Sequence, residues 1–232
     1  MWDDHEVLDL VANSLYLLVV LSVAYVAGQW ALRLPVLPLR EIVVVDREGG
    51  KPRHVTHAQA EAAIRDEPIG SFLALDLDAM RRAFGKLPWV RTVTIRRLWP
   101  QALEVTLEEH VALARWGEGM LVNIHGETFS GESDETLPQF DGPAGTAGDM
   151  ARRYAVFTEL LQPLGRRIGR MDLSPRRAWR VHLDDGLVLE LGREQMTARL
   201  ARYVRTHDHL LARLSPPPSH VDLRYPNGFA VR

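Results

Sequence analysis

"LPWVRTVTIRRLWPQALEVTLEE", residues 87–109, decides how this chain is read. Val93 and Ile95 point one way along it, while Thr92, Thr94 and Arg96 point the other. That two-residue period belongs to a half-buried strand. Past a turn at Trp99-Pro100, Leu103, Val105 and Leu107 make a second alternating face. The stretch is a β-hairpin. It carries no cysteine, histidine or glycine-rich loop, which leaves framework or partner contact as its role, with Trp89 expected as packing.

Upstream, "REIVVV" (40–45) reads as another strand. "THAQAEAAIR" (56–65) opens with Thr56 and carries Gln59 three residues later, the pattern of a helix capping box. "DLDAMRRAFGKL" (76–87) has Asp76 as its cap and places Leu77, Met80, Phe84 and Leu87 on one helical face. Residues 40–109 therefore read β-α-α-β-β, two helices over one side of a three-stranded sheet.

Downstream the pattern changes. "ALARWGEGMLVNIHGETF" (112–129) breaks at Gly117–Gly119 and His125-Gly126 into short consecutive strands. Residues 130–148 are rich in Gly, Pro and acids and read as a surface loop. "DMARRYAVFTELLQPLG" (149–165) is an amphipathic helix capped by Asp149, with Met150, Phe157, Leu160, Leu161 and Leu164 apolar. "WRVHLDDGLVLELG" (179–192) is a hairpin turning at Asp185-Gly186. "REQMTARLARYVRTHDHLLARL" (193–214) is a second helix, with Met196, Leu200, Val204, Leu211 and Leu214 as core candidates. Prolines 216–218 end it, and "HVDLRYPNGFAVR" (220–232) is a last strand in which Pro226 and Asn227-Gly228 break the alternation. If that strand lies at a sheet edge, its open N–H and C=O groups can pair with a partner strand. The competing reading is an ordinary closing strand with Phe229 in the core.

No residue from Leu10 to Leu32 is charged. As a helix this run is roughly 34 Å long, enough to cross the hydrocarbon core of a bilayer. Trp30 suits the interface, and Arg33, Pro35 and Pro38 end the span. A cleaved signal peptide would have a basic start and a shorter apolar core, whereas Asp3, Asp4, Glu6 and Asp9 precede this one. The expected fold class is α+β. A tail (1–9), a single N-terminal transmembrane helix (10–32) and a linker (33–39) precede the β-α-α-β-β module (40–109). A β-rich domain with two helices (110–232) follows. By the positive-inside rule, Arg33 and Arg40 after the span favour the large region inside.

Composition narrows the chemistry. The net charge of −2 argues against a general nucleic-acid binder. With no cysteine, disulfides, thiolate metal sites and cysteine catalysis are excluded. His207-Asp208-His209 is the best metal candidate, but histidines at i and i+2 on a helix face different ways. His54 and His57 lack a supporting third ligand. Glu108-Glu109 straddle a strand, and Asp184-Asp185 are turn residues. No catalytic residue, metal or cofactor is expected. The pairs Arg96-Arg97, Arg152-Arg153, Arg166-Arg167 and Arg176-Arg177 are able to recognise acidic partner segments, although a solvated face is the ordinary use of such pairs.

Taken together the chain resembles the FtsQ/DivIB family of bacterial cell-division proteins, most specifically in "LPWVRTVTIRRLWPQALEVTLEEHVALARW" (87–116), "RLARYVRTHDHLL" (199–211) and "HVDLRYPNGFAV" (220–231). The resemblance implies a POTRA domain at 40–109 and an FtsQ-type β domain after it. It implies a single-pass inner-membrane protein with a cytoplasmic N-terminus and a periplasmic bulk, against the two-arginine charge bias. It implies a non-enzymatic scaffold at the septum that recruits FtsB and FtsL and connects cytoplasmic division components to septal peptidoglycan synthesis, with the synthase FtsW/FtsI, FtsN and upstream division proteins as further partners. The partner surface it implies comprises Arg176, Tyr203, Thr206, Leu210, Arg224, Tyr225, Asn227, Gly228 and Phe229, the last standing where a small residue is expected. The hairpin's exposed edge is a further candidate for recruiting upstream proteins. Two other readings compete: a POTRA-bearing polypeptide-binding or outer-membrane assembly factor, and an anchored hydrolase using the histidines and acidic pairs.

Overall fold

A computed structural model describes residues 5–33, 39–65, 72, 75–207, 214, 217–225 and 228–232. The chain divides into two compact units at Glu109/His110. Its first element, α1 (His5–Arg33), contains the apolar stretch Asp9–Trp30, long and apolar enough to cross a membrane.

In the rest of the first unit, β1 (Glu41–Asp46), β2 (Val90–Leu98) and β3 (Ala102–Glu109) form a sheet in the order β1-β3-β2. β2 and β3 are the antiparallel hairpin, and β1 lies parallel to β3 from Glu41↔Ala102 to Asp46↔Leu107. The central strand carries the most regular apolar face. Leu103, Val105 and Leu107 are fully buried, worth about 1.5–3 kcal/mol each. α2 (His57–Ile64) and α3 (Leu77–Phe84) supply Ala60, Ile64, Met80 and Phe84 to that core. Both caps form as the sequence predicts. Thr56 and Gln59 make the reciprocal capping box, and Asp76 accepts from the N–H groups of Asp78 and Ala79. Trp89 is packing, stacked on the His54 ring at 3.7 Å.

The second unit is one nine-stranded sheet under two helices. Its strands are β4 (Ala112–Trp116), β5 (Met120–Asn123), β6 (Thr128–Ser130), β7 (Gln139–Asp141), β8 (Ile168–Leu173), β9 (Trp179–Leu183), β10 (Val188–Gly192), β11 (His220–Asp222) and β12 (Ala230–Val231). They run in the order β12-β11-β10-β9-β8-β7-β4-β5-β6. α4 (Ala147–Leu161) and α5 (Met196–Thr206) lay Met150, Phe157, Leu161, Leu200 and Tyr203 into a core shared with Met171, Val181, Leu189, Val221 and Leu223. Alternate strand residues form polar contacts: salt links of Arg170 to Asp141 and Asp172 and of Arg180 to Glu190, and a hydrogen bond between His182 and Asp172.

Four expectations are corrected here. The 130–148 stretch is not loop throughout, because Phe140 is buried and draws β7 between β4 and β8. α4 starts three residues early, with Thr146 at the N-cap, so Asp149 sits in the first turn and pairs with Arg152. α5 begins at Met196, after Gln195 takes a positive φ of 53°, and Leu214 is 42% exposed rather than core. Finally, the last strand is two strands. β11 and β12 are antiparallel neighbours, so the chain reverses between Asp222 and Ala230.

Candidate functional site

β12 ends the nine-stranded sheet and, among the described residues, has one neighbour, β11. Its register states which groups face out. Arg232 donates its N–H to the His220 carbonyl at 2.9 Å, and His220 donates back to the Arg232 carbonyl at 3.1 Å. A pair that exchanges both bonds alternates with a pair that exchanges none. Ala230 and Arg232 therefore turn their main-chain groups inward. The N–H and C=O of Val231 face outward, on a residue that is 44% exposed.

The segment leading into β12 is held from below. Arg202 on α5 donates from one Nη2 atom to the carbonyls of Tyr225 and Gly228, at 2.8 and 3.2 Å. Phe229 is half-buried and meets the Tyr203 ring edge-on at 6.5 Å. Arg199 donates to the Leu191 carbonyl at 2.7 Å. Next to that carbonyl, Gly192 has a φ of 76°, and a Cβ there would lie 2.9 Å from Arg199 Nη1 and 3.1 Å from Arg224 Cγ. Only glycine suits both the backbone and the space.

The residues singled out from the sequence divide by depth. Tyr225, 54% exposed, and Gly228 lie on the segment that enters β12, and Arg224 just before them is exposed. Arg176 is exposed in the β8–β9 turn, and the cross-strand register Leu173↔Trp179↔Gly192 puts that turn at the same end of the sheet as Gly192. Tyr203 is fully buried, beneath Phe229, so it supports the surface instead of forming it. Thr206 returns its hydroxyl to the carbonyls of Arg202 and Tyr203 within its own helix. Leu210 and Asn227 lie outside the described residues, as do Asp208 and His209.

Arg224 already has an acid. Its guanidinium grips Asp222 from Nε at 2.9 Å and Nη2 at 2.6 Å, and its own N–H reaches the same carboxylate. Hydrogen bonds from Arg224 hold the Asp222 carboxyl below its ordinary range, and the same contact raises Arg224. A partner carboxylate would share this guanidinium with Asp222. Tyr203 is different: burial pushes its phenol up to about 12, and its hydroxyl has no hydrogen-bond partner among the described residues.

The positions considered for chemistry have other work. His54 stacks on Trp89 beside Glu109, while His57 pairs with Glu61. Glu108 meets Arg91 and Thr92, while Glu109 takes the backbone N–H groups of Arg53, His54 and Val55, so the two acids do face opposite ways. Asp184 and Asp185 bind Arg167 and Arg166 at their turn. Sequence reasoning missed Arg199 and Arg202. Their i, i+3 spacing on an amphipathic helix was the available signal.

Comparison with known proteins bears on both units. The family model "POTRA domain, FtsQ-type" matches residues 37–110, and "Cell division protein FtsQ/DivIB, C-terminal" matches residues 114–224. The chain is 49% identical over its whole length to the Cell division protein FtsQ of Nitrosospira multiformis, covering 99% of that relative. It is 39% identical to that of Burkholderia pseudomallei and 34% identical to that of Bordetella pertussis, covering 94% and 92% of those chains.

Proposed function

This chain belongs to the FtsQ/DivIB family of cell-division proteins, and from that premise we propose that it is a non-enzymatic scaffold whose β12 edge receives a strand of FtsB. The N-terminus is cytoplasmic and the bulk periplasmic, with α1 as a single inner-membrane anchor at the septum. FtsB arrives with FtsL, and the assembly couples cytoplasmic division components to FtsW/FtsI and FtsN for septal peptidoglycan synthesis.

The observation that carries this reading is the outward-facing main chain of Val231 on a short end strand, beside exposed Tyr225 and Arg224. An added strand takes its affinity from main-chain pairing and its specificity from flanking side chains. Arg176, exposed and with no ion pair among the described residues, is the cation available to an acidic partner group.

The register supplies a clean test. Val231→Pro removes one outward N–H and leaves the inward ladder to β11 intact, a position where an edge strand tolerates proline. Binding of the periplasmic segment of FtsB to the full chain in nanodiscs is expected to fall at least tenfold in Val231→Pro with the circular dichroism unchanged. Tyr225→Ala is expected to weaken binding without affecting the fold. Unaltered FtsB affinity in a folded Val231→Pro variant would show that no strand adds at β12.

A further inference from the structure

Five tryptophans lie among the described residues, and three are put away. Trp89 is stacked on His54, Trp116 packs on the core of the second unit, and Trp179 is buried. The other two are exposed: Trp30 at 65% and Trp99 at 69%. Trp30 closes the apolar stretch of α1, the position where an indole marks the level of the lipid headgroups. Trp99 sits at the tip of the β2–β3 turn, and hydrophobic burial gives it no reason to be there.

The turn is braced. Arg97 donates to the carbonyls of Phe72 at 3.1 Å and Leu75 at 3.0 Å and lies over the Phe72 ring. Phe72 is fully buried, and the Trp99 indole stands edge-on to it at 5.4 Å. The indole is thus held outward by a fixed platform.

Covalent geometry says what lies near it. The Gln101 carbonyl of this turn accepts the N–H of Arg40 at 2.9 Å, so the turn is pinned to the start of β1. Arg33 is the last residue of α1, and seven residue steps separate it from Arg40. Seven residues reach at most about 25 Å even when fully extended. The opposite end of β1, at the turn of residues 47–50, lies roughly 20 Å further along the strand. The chain therefore tethers the Trp99 turn, more closely than the far end of the same sheet, to the level at which Trp30 lies.

We propose that the Trp99–Pro100 turn is a second membrane contact, with its indole seated among the lipid headgroups of the bilayer that α1 spans. Arg40, exposed and hydrogen-bonded to the same turn, adds a cation facing lipid phosphate. The proposal rests on α1 being a membrane span. It is independent of the strand-addition reading, since it concerns the opposite end of the chain.

The absence of cysteine makes the test direct. Single cysteines carrying a nitroxide label are placed at Val20→Cys, Gln101→Cys and Glu48→Cys in the full chain in nanodiscs. Collision with oxygen, enriched in lipid, is compared with collision with a water-soluble nickel chelate. The Val20 label should read as deep lipid, the Gln101 label as headgroup level and the Glu48 label as water. Adding Trp99→Ser should return the Gln101 label to the water reading. Vesicles of zwitterionic and of anionic lipid separate the two contributions. Lipid exposure in both marks the indole as sufficient, and exposure in anionic lipid alone marks Arg40 as required. A Gln101 label that reads like Glu48 in both lipids overturns the contact while α1 stays in place, as does lipid exposure that survives Trp99→Ser. A water reading at Val20 overturns the span itself.

Discussion

Arg202→Met tests whether the edge strand is held by its own ladder or by the helix beneath it. The substitution keeps the aliphatic stem and removes the guanidinium that reaches the Tyr225 and Gly228 carbonyls at 2.8 and 3.2 Å. A hydrogen bond from a charged donor is worth about 1.5–3 kcal/mol, and the longer of these two belongs at the low end. Together they contribute about 3 kcal/mol to closing the segment. β12 itself is two residues long, and its opening is otherwise opposed by its main-chain bonds to β11, by the Ser219 and His220 bonds to Arg232 and by the Phe229–Tyr203 contact. Because β12 is the end strand of the sheet, the loss stays local. At about 1.4 kcal/mol per decade, the opening equilibrium of β12 should rise roughly a hundredfold. Amide hydrogen exchange is the assay: protection of Ala230 and Arg232 should drop by about two orders of magnitude while β8–β10 keep theirs. FtsB binding should weaken in step, since a partner would then have to order the edge before using it. Arg202→Lys should recover part of the protection through one of the two carbonyls. Unchanged exchange at β12 in Arg202→Met would refute the reasoning and leave the ladder and Phe229 as the holding elements.

Tyr203→Phe should leave the protein as stable or more stable by about 1 kcal/mol in denaturant unfolding, because it deletes a buried hydroxyl that has no partner among the described residues. A loss of about 1 kcal/mol would mean that the phenol has a partner. Glu109 should confer an acid-dependent stability on the first unit. Burial raises its pKa, but the N–H groups of His54, Arg53 and Val55 outweigh burial and hold the carboxyl below the ordinary value near about 4.3. A folded pKa below the unfolded one gives stability that is complete above about pH 4.3 and is lost as pH falls through the folded value. The gap in exchange protection at residues 53–55 between wild type and Glu109→Gln should therefore be constant near neutrality and shrink in acid. A gap independent of pH would contradict that role.

Most of the first unit was legible because its signals are local. Period-two alternation in 92–107, the Thr56/Gln59 box and the Asp76 cap each need only a few neighbouring residues to act. The second unit was legible where apolar alternation is long, as in β9 and β10, and less so where one residue decides. Phe140 makes a strand of a Gly/Pro/acid-rich stretch by being buried between two distant strands, which no local pattern announces. At the candidate site, the composition of 224–229 pointed to a surface. The depth of Tyr203, the grip of Arg224 on Asp222 and the reach of Arg202 to two carbonyls depend on how α5 lies across the sheet. Family resemblance singled out this neighbourhood and placed a buried ring, Tyr203, on its surface.

The parallel pairing of β1 with β3 has a mechanical consequence. The chain enters this sheet at the Glu41 end of β1 and leaves it at the Glu109 end of β3, and the strands are in register from Glu41↔Ala102 to Asp46↔Leu107. Tension between the membrane and the second unit thus pulls two parallel neighbours from opposite ends. Loaded that way, the ladder is sheared along its length, and its bonds share the force instead of parting one at a time like a zipper. Pulled between the apolar helix α1 and the second unit, the sheet would bear that strain through a lap joint of two strands, β1 on β3.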